Sequence, residues 1–99
     1  ERAQHAAQVC AMRALVLIAQ AEGSLDAVQQ VLSVRVYTRS APGFTQQSEV
    51  ANAASDLLMR VLGPAGTHTR TSVGVAQLPK GAVVELDMAV AAPRPPPDA

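Results

Sequence analysis

Arg70 to Gln77 and Val83 to Ala91 are two β-branched runs that alternate with period two, joined through Leu78-Pro79-Lys80-Gly81. Alternation at this period puts successive side chains on opposite faces of a strand, and Pro and Gly between two strands suit a tight reversal. The expectation is a hairpin with Gln77 opposite Ala82, which sets Gly74 opposite Glu85 and Ser72 opposite Asp87. On that register Arg70, Ser72, Gly74, Glu85 and Asp87 share one face, and Val73, Val75, Val84, Leu86 and Met88 share the other. A sheet with one apolar face needs a covering layer, so the rest of the chain must supply helix.

It does so twice. Ala3 to Ala21 contains no Gly or Pro, is rich in Ala, and is followed by Gly23 where a left-handed residue would end a helix. Ala3, Ala7, Cys10, Ala14, Leu17, Ile18 and Ala21 fall on one small-residue face, the expected core side, while Val9, Met12, Leu15 and Val16 gather opposite. A helix apolar on both flanks points to cover from outside this chain. Ser24 to Ala27 reads as a turn. Val31 to Thr38 reads as a strand, with Leu32, Val34 and Val36 on one face and Ser33, Arg35 and Tyr37 on the other. After Ser40-Ala41-Pro42-Gly43, Thr45 or Ser48 is positioned to cap a second helix that runs to about Leu62 and stops at Gly63-Pro64. Val50, Ala54, Leu57, Leu58 and Val61 are its inward stripe, with Asn52, Ser55, Asp56 and Arg60 outward. The sum is an α+β fold of two layers, a sheet with two helices on one face, over residues 1–92. Residues 93–99, with Pro93, Pro95, Pro96 and Pro97, read as an extended tail.

A chain of 99 residues holds one small core, which favours assembly with other copies. Eight basic and eight acidic residues cancel, removing the positive surplus on which nucleic-acid binding depends. Cys10 is the sole cysteine, and His5 and His68 stand apart, so no disulfide or metal-ligand spacing is present. No cofactor is expected. The longest strongly apolar stretch, Ala14 to Ala19, is too short to cross a bilayer, and a cytoplasmic location is the default expectation. The chain opens at Glu1 directly into helical pattern, which leads one to expect further sequence upstream.

The polar sheet face collects Arg70, Ser72, Gly74 and Glu85, joined by Arg35, Tyr37 and Asp87. One reading is a solvated face with ordinary ion pairs. The other is an anion site, since a guanidinium can grip a carboxylate through two hydrogen bonds, a neighbouring hydroxyl can add a third, and Glu85 can hold or deprotonate a water. Cys10, on an Ala-rich face, reads as a small core residue, and His68 as a loop residue.

The segment Arg70-Thr-Ser-Val-Gly-Val-Ala-Gln-Leu-Pro79, followed by Gly81-Ala-Val-Val-Glu85, resembles the signature of the reactive-intermediate deaminase (Rid, or YjgF) family. Gly23-Ser-Leu-Asp-Ala-Val, Val34-Arg-Val-Tyr-Thr and Val50-Ala-Asn52 extend the resemblance from about Arg2 to Ala92. It implies a chorismate-mutase-like subunit, whose first two strands would lie upstream of Glu1, in a homotrimer with ligand clefts between subunits. It also implies hydrolysis of enamine or imine intermediates such as 2-aminoacrylate to 2-keto acids and ammonia. On this resemblance Arg70 grips the substrate carboxylate, Glu85 orients the attacking water, Asn52 supports the cleft, and Ser72 stands where Cys is common. A non-catalytic binder of small carboxylic metabolites using the same Arg70 clamp is the alternative. A ribonuclease ranks third, because neutral charge and only two aromatics, Tyr37 and Phe44, make a poor RNA track.

Overall fold

The structure is a computed structural model that describes residues 2–93, so the expected tail beyond Pro93 lies outside the described residues. Five main elements follow one another: α1 (Arg2–Glu22), β1 (Gln30–Arg39), α2 (Gln47–Leu62), β2 (Thr69–Val75) and β3 (Val84–Ala91). Single 3-10 turns occupy Leu25–Ala27, Gly63–Gly66 and Pro79–Gly81. The helices pack on each other and on one face of the sheet, giving the expected two-layer α+β fold.

The helix α1 ends as its sequence requires. Gly23 takes φ +86° and its N–H donates to the Ala19 carbonyl at 2.8 Å, a conformation that glycine adopts without a Cβ penalty. Its buried stripe is Ala7, Ala11 and Leu15, one position round the helix from the expected face. Leu17, expected inside, is 65% exposed, and Met12 and Val16 are also exposed. Small Ala at the contact lets α1 approach α2 closely, and that approach decides which side turns in. The α2 stripe is likewise rotated: Val50, Ala51, Ala54, Ser55 and Leu58 are buried, while Val61 is exposed. The residue before α2, Gln46, makes no side-chain cap, so neither Thr45 nor Ser48 serves as one.

The sheet order is β2-β1-β3, with β1 parallel to β2 and antiparallel to β3. The hairpin expected between the last two strands does not form. The Pro79–Gly81 turn does reverse the chain, with Lys80 and Gly81 at φ 58° and 68°, but it carries β3 past the end of β1 to the far edge. Arg39 ties that crossing down: its N–H donates to the Val83 carbonyl and its Nη1 to the Gly81 carbonyl, each at 2.9 Å. Turn composition specifies a reversal and not the strand to which the chain returns. β1 takes the centre because Val31, Val34, Val36 and Thr38 are all essentially buried. Each of the three valines contributes about 1.5–3 kcal/mol on leaving water, which favours the position with neighbours on both sides. A bulge at Leu32 breaks the alternation: Val31 pairs with Val90 and Ser33 with Ala89, so Leu32 turns outward and is 51% exposed.

Register reassigns the faces. Val34, Val36 and Thr38 point at the helices, and their partners Arg70, Ser72 and Gly74 on β2 and Met88, Leu86 and Val84 on β3 share that side. Arg35 and Tyr37 point the other way, with Thr71 and Val73 beside them on β2 and Asp87 and Glu85 on β3. The expectation that Arg70 and Glu85 share a face, with Gly74 making room beside Glu85, is therefore corrected. A Cβ at Gly74 would instead meet Gln47 of α2 and Ser40.

Candidate functional site

Arg70 is the second residue of β2, an edge strand, and its side chain crosses the sheet margin to α2. Its Nη1 donates to Asn52 Oδ1 and, at 3.4 Å, to Ser55 Oγ. Asn52 and Ser55 lie three positions apart on α2, close to one helical turn, so both address the same nitrogen. Nε and Nη2 make no hydrogen bond, and Arg70 forms no ion pair, among the described residues. A half-buried guanidinium held by one nitrogen keeps its other donors for a ligand.

Ser55 is buried, at 5% exposure, against the expectation that it lies on the outer face of α2. Its Oγ lies 2.9 Å from His68 Nε2, and His68 Nδ1 lies 2.6 Å from the Gly66 carbonyl. The carbonyl can only accept, so Nδ1 carries hydrogen. With the imidazole neutral, Nε2 then accepts from the Ser55 hydroxyl, whose oxygen accepts from Arg70. Gly66 makes this approach possible, because a Cβ there would sit 2.5 Å from the Leu58 carbonyl oxygen. A cleft of about 370 Å³ opens beside this chain of bonds, lined by Ser55, Met59, Thr67, His68 and Arg70.

The structure thus brings Arg70 and Asn52 together and places Ser72 two residues along the same face, half-buried. Glu85 is exposed on the opposite face, across from Tyr37, whose hydroxyl donates to Asp87 Oδ2 at 3.3 Å. Residue spacing alone brings neither Ser55 nor His68 to this group. The signal for Ser55 was its place four residues after Ala51 and three before Leu58, on a buried stripe rotated one step from the one chosen. Cys10 packs between α1 and β3, with Sγ 3.7 Å from the Val84 carbonyl. Burial pushes its thiol pKa up, Glu85 adds to the rise, and Arg13 opposes it. Such a thiol is a poor nucleophile.

A sequence profile of the family described as Endoribonuclease L-PSP matches residues 2–92. The chain belongs to that family, the YjgF/Rid group. Protein TCP17 of Trypanosoma cruzi is 49% identical over 88 residues, which make up 88% of this chain and 55% of TCP17. The crystal structure of Atu1372 from Agrobacterium tumefaciens, a protein of unknown function, superposes with TM-score 0.89 at 40% identity, covering 91% of this chain and 58% of that one. A protein of Shewanella oneidensis MR-1 provisionally described as an endoribonuclease superposes with TM-score 0.82 over 86% of this chain and 56% of that one. At 21% identity the latter likeness speaks for the YjgF-like fold alone. This L-PSP chain therefore spans little more than half the length of the relatives it matches. Among its described residues no helix is long and apolar enough to cross a membrane.

Proposed function

We propose that the chain supplies the carboxylate clamp of a hydrolytic deaminase acting on enamine or imine intermediates of the 2-aminoacrylate type. The observation that carries this reading is Arg70, anchored to α2 through Nη1 by Asn52 and Ser55 while Nε and Nη2 make no hydrogen bond among the described residues, beside a cleft that Arg70 lines. Two donors of one guanidinium match the two oxygens of a carboxylate. With the carboxylate held and its charge balanced, water adds to the adjacent C2 of the imine, and the tetrahedral adduct expels ammonia to leave a 2-keto acid. Glu85, on the other sheet face, can orient that water only from another copy, which fits a homotrimer with clefts between subunits. The exposed apolar residues Met12, Val16 and Leu17 of α1 and the uncovered sheet face support such assembly. A free, half-buried thiol suits a reducing cytoplasmic setting.

The separation of Arg70 from Glu85 also favours a second reading, a binder of small carboxylic metabolites without turnover. One experiment decides between them. With an amino-acid dehydratase generating 2-aminoacrylate, the protein should accelerate release of pyruvate and ammonia, Arg70→Lys should lose much of the effect, and Arg70→Ala nearly all. Binding of pyruvate without acceleration would establish the binder instead, and full turnover by Arg70→Ala would sink both. An RNA-cleavage assay on the same preparation addresses the activity named in the family description; the balanced charge and two aromatics predict none.

A further inference from the structure

The geometry points to Ser55 and His68 as positioning residues for Arg70: a hydroxyl and an imidazole, anchored on the Gly66 carbonyl, that set the direction in which the guanidinium faces its ligand. For its ligand the inference rests on the carboxylate reading above. For its internal geometry it stands alone.

Three observations carry it. First, a serine inside a helix ordinarily faces solvent or bonds back to the carbonyl four residues earlier, whereas the Ser55 hydroxyl is buried and lies 2.9 Å from an imidazole thirteen residues away. Second, in the Nδ1–H tautomer the polar atoms of this relay have one consistent assignment. Gly66 accepts from Nδ1–H, which leaves Nε2 of the neutral ring to accept from Ser55 O–H and fixes the hydroxyl lone pairs toward Arg70 Nη1. Third, the close packing that brings this chain together is specific. Gly66 lies where any side chain would strike the backbone of Leu58 and Met59, and it sits two residues before His68.

The consequence is directional. Asn52 alone would hold Nη1 by a single exposed contact and leave the guanidinium free to rotate about it. A second acceptor, itself held by His68, fixes the plane of the fork beside the cleft that Arg70 lines with Met59, Thr67 and His68. An orientation set before binding removes an entropic cost that each ligand would otherwise meet. Losing the relay should therefore weaken ligand binding while leaving the charge of Arg70 in place.

The test uses the whole chain, 15N-labelled, with pyruvate as the carboxylate probe. Imidazole 15N signals should show neutral His68 as the Nδ1–H tautomer. Rotation about the Arg70 guanidinium bonds should be slow in the wild type and fast in Ser55→Ala and His68→Leu, with each fold checked by its thermal transition. Those two variants should weaken pyruvate binding roughly five- to tenfold, the scale of one lost neutral hydrogen bond. His68→Gln, whose Oε1 can accept from Ser55, should stay within roughly threefold of wild type. An Nε2–H tautomer, or unchanged guanidinium rotation in Ser55→Ala, overturns the relay whether or not any ligand binds. Wild-type affinity in Ser55→Ala and His68→Leu alongside loss in Arg70→Ala overturns the relay and keeps the carboxylate reading. Absence of pyruvate binding in the wild type fells the carboxylate reading, and the imidazole and guanidinium signals still decide the relay.

Discussion

Glu85 stands directly across β1's Tyr37, on the face of the sheet from which Arg70 is turned away. The two residues given roles in the proposed reaction thus leave this chain in opposite directions, and a site that uses both must draw them from different copies. Mixed assemblies expose this. Arg70→Ala and Glu85→Gln chains, each inactive alone, should regain part of the ammonia-releasing activity when refolded together, because one site in the mixture has an intact Arg70 from one chain and an intact Glu85 from the other. No recovery in demonstrably mixed assemblies would overturn a site shared between copies.

Cys10 predicts an alkaline weakness. Burial holds its thiol above the ordinary value of 9.0, so as pH rises past 9.0 the unfolded chain loses this proton before the folded one does. The folded state then binds more protons than the unfolded state, and stability falls with rising pH in that window and is unaffected by this group below it. The urea midpoint of the wild type should drop between about pH 8 and about pH 10 more than that of Cys10→Ala. Equal drops would assign the alkaline loss to other groups.

Two glycines on the site side should respond differently to alanine. At Gly66 the new Cβ meets backbone of α2 at 2.5 Å, and backbone cannot step aside; the expected cost is about 1–3 kcal/mol. At Gly74 the nearest atoms are the ends of the Gln47 and Ser40 side chains, which can rotate, so the cost should be below about 1 kcal/mol. Chemical denaturation of the two variants compares them directly, and a larger loss at Gly74 would contradict the packing described.

Thr38 offers a gain. Its hydroxyl is buried in the centre of β1 with no hydrogen-bond partner among the described residues. Replacing an unsatisfied buried hydroxyl by a methyl group of the same shape removes a desolvation cost of about 1–3 kcal/mol. Thr38→Val should raise the melting temperature, and a lower one would show that the hydroxyl does have a partner.

What could be read beforehand follows from the range of the forces involved. Helix and strand existence depends on local periodicity and on punctuation by Gly23, Pro42-Gly43 and Gly63-Pro64, all visible in one pass along the chain. The interdigitation of α1 with α2 is not local: Ala7, Ala11 and Leu15 turn inward because of what lies opposite, a partner that the wheel of α1 alone does not contain. Strand order is less local still. Alternation puts Arg70, Ser72 and Gly74 on one face and Glu85 with Asp87 on one face, but only the insertion of β1 between the two strands settles that these faces differ. Arg70 and Asn52 could be singled out by residue type, whereas Ser55 and His68 gain their meaning from a close approach at Gly66 that spacing does not announce.

No strand pair in this sheet closes through a short turn: Val34 meets Arg70 about 36 positions downstream and Met88 about 54 downstream. For a newly made chain this is a matter of timing. The central strand must wait, with both edges bare, until most of the polypeptide exists, and each pairing requires a long loop to close before its bonds repay the lost entropy. Helical segments form in about a microsecond, so refolding should show early helical signal followed by a much slower step as the sheet is completed. During that interval the bare edges of Gln30–Arg39 are the part of the molecule most exposed to pairing with a stranger.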